Sequence, residues 1–296
     1  MLFTIAGSVC IILNISRIYA ADSGVAVPFI NDIPSLADFS GMRPASQLAR
    51  SMSKIENFIQ REPDDGVPAS QRTEVYLGYN EENLYSIFLA FDDEPEQIRS
   101  SLTSRENFDG DDNVQLTIDT FNNQISAYVF RVNPNGIQWD ARWTESSSFR
   151  RSSFDTSLEA VWESEGQITD QGYMVRMVIP LRSLRFSATD EQIWRIQVTR
   201  MVERLGEESH WPAYSIDIDG RLNQAALLTG IRDVSPGNNS QIVPFIFTRE
   251  REAVNNRALN GPQFQTSTDY DVGIDAKFVF NDSMILDMTV NPDFSQ

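Results

Sequence analysis

The chain has 296 residues, with 42 Asp and Glu against 24 Lys and Arg and a formal net charge of −18. That length calls for a large core or two domains. The acidic excess repels a phosphate backbone and supplies no basic stripe to track one, which argues against nucleic acid as a partner.

Residues 2–15 form an apolar run, followed by Ser16-Arg17-Ile18-Tyr19-Ala20 and a polar Ala21-Asp22-Ser23. The run is shorter than the roughly 20 apolar residues that span a membrane as a helix, and Ala20 offers a small residue for cleavage. Residues 1–20 are therefore expected to be a signal peptide, with an uncleaved membrane anchor as the alternative. Cys10, the only cysteine, lies within them. An exported chain without disulfides must rely on its core, helped by a bound ion.

Residues 21–57 read as a lead-in. Beyond residue 70, short alternating segments bounded by Gly, Pro, Asn and Asp recur every ten or so residues, an all-β pattern. The clearest strands are expected at 73–79, 83–91, 114–119, 125–133, 172–179 and 193–201. In the last of these, Trp194, Ile196 and Val198 alternate with Arg195, Gln197 and Thr199, one face for a core and one for solvent. The expected architecture is an antiparallel β-sandwich of the immunoglobulin or jelly-roll kind, with the loops at 107–113, 133–136 and 217–220 gathered at strand ends.

The turn-rich stretch 233–240 is a candidate linker. After it, Tyr270, Val272, Ile274, Ala276, Phe278 and Phe280 alternate with polar or small residues, Asn281-Asp282-Ser283 supplies a turn, and Leu286, Met288 and Val290 alternate again. Such a hairpin fits either a transmembrane barrel strand pair or a half-buried soluble sheet.

Several short motifs agree in order and spacing with a known family. They are Phe58-Ile59-Gln60-Arg61-Glu62-Pro63, Arg72-Thr73-Glu74-Val75, Asn107-Phe108-Asp109-Gly110-Asp111-Asp112, Val132-Asn133-Pro134-Asn135-Gly136, Ala160-Val161-Trp162-Glu163-Ser164 and Ile179-Pro180-Leu181-Arg182-Ser183-Leu184-Arg185-Phe186. Across 58–186 the chain resembles the carbohydrate-binding module family 9-like domain at the front of a large group of bacterial surface proteins. In that group a membrane barrel follows, and its opening strands are similar to Val272-Gly273-Ile274-Asp275-Ala276-Lys277 and Thr289-Val290-Asn291-Pro292-Asp293-Phe294. The resemblance implies a sandwich over 58–235 and the start of a truncated barrel over 236–296. It also implies a polysaccharide or oligosaccharide partner, a structural calcium, and residence in the periplasm or outer membrane of a Gram-negative bacterium.

A saccharide presents CH faces and a belt of hydroxyls, so its site combines aromatic rings with amides, carboxylates and Arg. The resemblance places Phe108 or Asp109 at the family's first stacking aromatic, Gln115 at its hydroxyl-binding glutamate and Arg131 at its arginine, with Asn133 on the same strand. A second tryptophan, expected within 221–225, has no counterpart, which leaves Trp139, Trp143 and Trp211 as candidate platforms. Trp162 and Trp194 are expected to pack in a core. Trp139 and Trp143 fit either a platform or a core, and Arg131 fits either a ligand contact or a surface ion pair. The carboxylates of Asp109, Asp111 and Asp112 around Gly110 suit either a calcium site or a solvated acidic turn.

Catalytic signals are sparse. His210 is the only histidine, which excludes a multi-histidine zinc site and leaves it as either a base or a packed ring. No phosphate-binding glycine loop precedes a helix. A glycoside hydrolase needs only two carboxylates and stays open as an alternative, beside a plug or interaction domain of an outer-membrane barrel.

Overall fold

Alternation decides the architecture. The computed structural model describes residues 24–105, 107–145, 153–158, 160–215, 217–235, 240–255, 263–281 and 284–290. The expected signal peptide lies outside them. The strands in chain order are β1 (Gly24–Ala26), β2 (Ser53–Ile55), β3 (Ile59–Glu62), β4 (Thr73–Tyr79), β5 (Asn83–Phe91), β6 (Asn113–Asp119), β7 (Ser126–Val132), β8 (Gln138–Thr144) and β9 (Ser153–Asp155). They continue with β10 (Glu163–Thr169), β11 (Gly172–Pro180), β12 (Glu191–Val202), β13 (Glu207–Trp211), β14 (Ala226–Arg232), β15 (Ser240–Asn255), β16 (Gln263–Asn281) and β17 (Met284–Val290).

Two sheets form a sandwich-like, all-β fold. The first runs β1-β14-β12-β6-β7-β8-β9, with β13 bonded to β12 and β3. The second runs β10-β11-β5-β4-β2. The β1–β14 pair is parallel and the other strand pairs are antiparallel. Between the sheets, Trp194, Ile196 and Val198 of β12, with Leu116 of β6 and Phe130 of β7, meet Leu77 of β4, Phe88 of β5 and Val175 of β11 in one core. Trp162 also packs there, as expected, with its ring 5.1 Å from that of Phe130. Each fully buried side chain of this size contributes about 1.5–3 kcal/mol relative to exposure.

The expected boundary at residue 58 is corrected. β1 joins the first sheet and β2 the second, so the lead-in is part of the sandwich. Its Ile30, Leu36, Phe39, Met42, Ala49 and Met52 cover Tyr76, Tyr85, Ile87, Leu89, Met174 and Val178 on the outer face of the second sheet. Strands apolar on both faces need a cover on both, and β4 and β5 are such strands. The short helix α1 (Gln47–Ser51) holds part of that cover; the Ser46 hydroxyl accepts from the Ala49 N–H at 3.0 Å, and Ala49 is buried.

β15, β16 and β17 form a separate antiparallel three-stranded sheet. The expected strand pair occurs as β16 and β17, with Ile274 opposite Val290 and Ala276 opposite Met288. Val272, Ile274, Met288 and Val290 are exposed, whereas Gly273 is buried. β15 is an additional strand beyond those read from the sequence. The described residues of this region form an open sheet and close no barrel.

Candidate binding cleft

Strand register builds the floor of a cleft on the outer face of the first sheet. One rung runs across five strands through Trp139, Arg131, Gln115, Thr199 and His210. Because Val198 and Leu116 point into the core, their neighbours Thr199 and Gln115 point outward. The cleft above has a volume of about 410 Å³. Gln115, Arg131 and Thr199 floor it, while Phe108, Trp143, Phe154 and Tyr214 wall it. Arg61, Glu208 and Arg221 also line it.

Aromatic rings and guanidinium groups interleave in this cleft. The Arg131 guanidinium lies 4.5 Å from the Trp139 ring centre, and that of Arg221 lies 5.3 Å from both Trp143 and Tyr214. Phe154 packs edge-on to Trp143, with ring centres 4.9 Å apart. Leu222 packs with Ala127, Val129 and Trp143, which anchors the segment carrying Arg221 onto the sheet. Glu145 accepts from the Arg221 backbone N–H at 2.7 Å and from the Trp143 indole N–H at 3.0 Å.

His210 is fully buried behind the floor and serves as a packed ring. Its Nδ1 lies 3.0 Å from Thr199 Oγ1, and its Nε2 lies 2.7 Å from Glu208 Oε1. Burial pushes the imidazole down to about 4, against the opposing pull of Glu208. Burial alone would raise Glu208, but the His210 contact and the nearby Arg221 and Arg61 charges hold it down to about 2.

Among the residues expected from the sequence, Phe108, Asp109, Gln115, Arg131 and Trp143 converge on this cleft. Trp139 lies against the Arg131 guanidinium and meets the Phe154 ring edge-on, with ring centres 5.2 Å apart. Two expectations are corrected. Asn133 is fully buried; its amide donates to Ser101 O and Asp111 Oδ2, both at 2.9 Å, so it holds the loop together. Its turn is pressed against β10, since a Cβ on Gly166 would lie 2.3 Å from Pro134 O. Trp211 is one residue beyond His210 and so faces the opposite way, packing against the core between the sheets.

The proposed calcium ligands do not form a cation site. Asp111 accepts from Ser101 N and Oγ at 2.8 and 2.9 Å, and Asp112 is buried, accepting from Glu203 N at 2.8 Å. Asp109 is exposed and lines the cleft. The three carboxylates are thus aimed at different partners, and among the described residues no three His, Cys, Asp or Glu side chains converge as metal ligands. Calcium needs about six to eight oxygens directed at one point, which this donor set does not offer.

Sequence reasoning missed Arg61, Phe154, Glu208, Tyr214 and Arg221. Thr199 was legible as a residue on the outward face of β12. The segment 221–225, where an aromatic was sought, supplies Arg221, while the ring comes from Tyr214.

Fold and site together define a β-sandwich with an aromatic and polar cleft on one sheet face. Comparison agrees at the level of fold. A candidate carbohydrate-binding protein from Bacteroides uniformis superposes with a TM-score of 0.51 at 10% identity, covering 70% of this chain and 98% of its own. A family 9 carbohydrate-binding module from Caldicellulosiruptor kristjanssonii, in complex with cellotriose, gives 0.44 at 12% identity over 71% of this chain and 96% of its own. The same organism's module with glucose gives 0.45 at 12% identity over 71% and 98%. The first likeness bears on the fold alone. Residues 242–296 match the family described as a domain of unknown function, DUF5916. No curated protein sequence matches the chain.

Proposed function

We propose that the chain is a non-catalytic carbohydrate-binding protein whose ligand occupies the cleft on the outer face of the first sheet. The observation that carries this reading is the convergence of Trp143, Phe154 and Tyr214 with Gln115, Arg131 and Thr199 around one open volume. Rings match the CH faces of a pyranose, while amide, hydroxyl and guanidinium groups match its hydroxyls. The family resemblance over 58–186 supports it. Glu208 lends hydrolysis no support, because it is held low and lies against His210, whereas a glycosidase acid must be raised. Isothermal titration against xylan and cello-oligosaccharides, with calcium and after chelation, tests the reading. Saturable heat that survives chelation is expected, and silence with every saccharide class overturns it.

A second reading concerns the C-terminal sheet, which we infer to be the opening of an outer-membrane barrel in an exported protein. Its support is the exposed apolar row Val272, Ile274, Met288 and Val290 on neighbouring strands. Cysteines placed at 274 and 288 and probed in outer-membrane fractions should react with lipid-soluble maleimide and resist a charged one. Equal reaction with both overturns the barrel assignment.

A further inference from the structure

Two arginine side chains in the cleft donate their hydrogen bonds only to neutral groups, with Glu208 as a nearby charge that neither touches. Arg131 donates through Nε at 3.1 Å and Nη2 at 2.8 Å to the same oxygen, Gln115 Oε1. Arg221 donates through Nε to Gln197 Oε1 and through Nη2 to Thr199 Oγ1 at 3.2 Å. Among the described residues, neither guanidinium is in a salt bridge. The Glu145 carboxylate meets the Arg221 backbone N–H instead.

Asp109, Asp111, Glu203 and Glu208 line the same cleft, and none of them is hydrogen-bonded to Arg131 or Arg221. Asp111 is taken by Ser101 and Asn133, and Glu208 lies against His210. Asp109 is exposed, and Glu203 is half-buried. Arg131 and Arg221 are both half-buried, so each guanidinium loses solvation that an amide or hydroxyl oxygen only partly returns. The aromatic faces beside them offset some of that loss. Burial lowers both groups, against the opposing pull of the Glu208 charge on each.

Gln115, Thr199 and the guanidinium groups can all meet the hydroxyls of a sugar. Two planar forks of positive charge in one cleft also match a carboxylate, which accepts charge-assisted hydrogen bonds from guanidinium. Resting on the reading of the cleft as a saccharide site, we propose that its ligand is acidic: a uronic acid residue whose carboxylate is held by Arg131 and Arg221.

The test uses matched pairs that differ at one carbon, glucuronic acid against glucose and galacturonic acid against galactose, titrated calorimetrically into the full chain. In at least one pair the acid is expected to bind about tenfold tighter or more, the usual scale of a charge-assisted contact, with the difference shrinking as salt rises. Gln115→Glu supplies Arg131 with its own carboxylate at nearly unchanged volume, and Arg131→Gln removes the charge. Each is expected to bring the affinity ratio of the pair toward one, with folding checked by thermal melting. Neutral sugars binding as tightly as their acids would overturn the acidic ligand and leave the saccharide site standing. Heat from none of the four sugars would overturn the acidic ligand, and silence with xylan and cello-oligosaccharides as well would overturn the saccharide site. A ratio unchanged in the folded Gln115→Glu variant would remove Arg131 from the role.

Discussion

The two outer faces of the sandwich make opposite use of the same strand geometry. On the second sheet, Tyr76, Tyr85, Ile87 and Leu89 lie beneath an apolar cover contributed by the N-terminal segment. On the first sheet, the corresponding face presents Gln115, Thr117, Gln197 and Thr199, buried yet polar, beside the cleft. The apolar cover stabilises without selecting a ligand. On the polar face Gln115 bonds Thr117 and Arg131, and Arg221 bonds Gln197 and Thr199, while Gln197 Nε2 is left without a partner; such a network is disposed to accept polar ligand atoms.

Phe39→Ala tests the apolar face most severely. Phe39 is fully buried, with its ring 4.9 Å from that of Tyr76. Its loss is expected to cost about 3–5 kcal/mol in urea unfolding. Saccharide affinity measured on the folded fraction should stay unchanged, and a parallel loss would mean that the two faces are coupled.

Acid should loosen the polar face next. His210 falls from 6.5 to about 4 on folding, so its contribution is complete above about 6.5 and is lost as pH drops toward 4. Glu208, depressed from 4.5 to about 2, extends the loss below 4.5. The His210 part amounts to about 3 kcal/mol. Unfolding free energy measured from pH 7 to pH 4 should show this slope, and His210→Gln should flatten it. An unchanged slope in that variant would place the acid sensitivity elsewhere.

Trp143→Ala addresses the wall of the cleft. Removing its ring is expected to weaken saccharide binding about tenfold, roughly the worth of a well-placed aromatic face. Calorimetry that finds full affinity would reduce Trp143 to a support for Phe154. The smallest effect belongs to the separate C-terminal sheet. Ile274→Ser, at an exposed position, should change the unfolding free energy by less than about 0.5 kcal/mol. A larger loss in urea unfolding would show that this apolar row is covered in solution.

Much of the sandwich was legible because period-two alternation is a local property. The strands expected at 73–79 and 83–91 coincide with β4 and β5, and the inward set Trp194, Ile196 and Val198 is the set found in the core. The lead-in was misread because β1 finds its partner in β14, some two hundred residues away, and α1 is only five residues long. Within the site, Gln115 and Arg131 were reached through motif resemblance and Thr199 through alternation. Tyr214 and Arg221 carry no local signal, since each sits on irregular backbone folded back over the sheet.

By itself, then, the sequence determined the longer alternating strands such as β4, β5 and β12, and which side of β12 faces the core, because neighbouring residues on a strand point opposite ways. Tertiary structure alone decided that Asn133 and Trp211 turn away from the cleft, that Asp109, Asp111 and Asp112 diverge, and that Arg221 meets Trp143. Those outcomes depend on where distant segments of the chain come to rest, which no local spacing encodes.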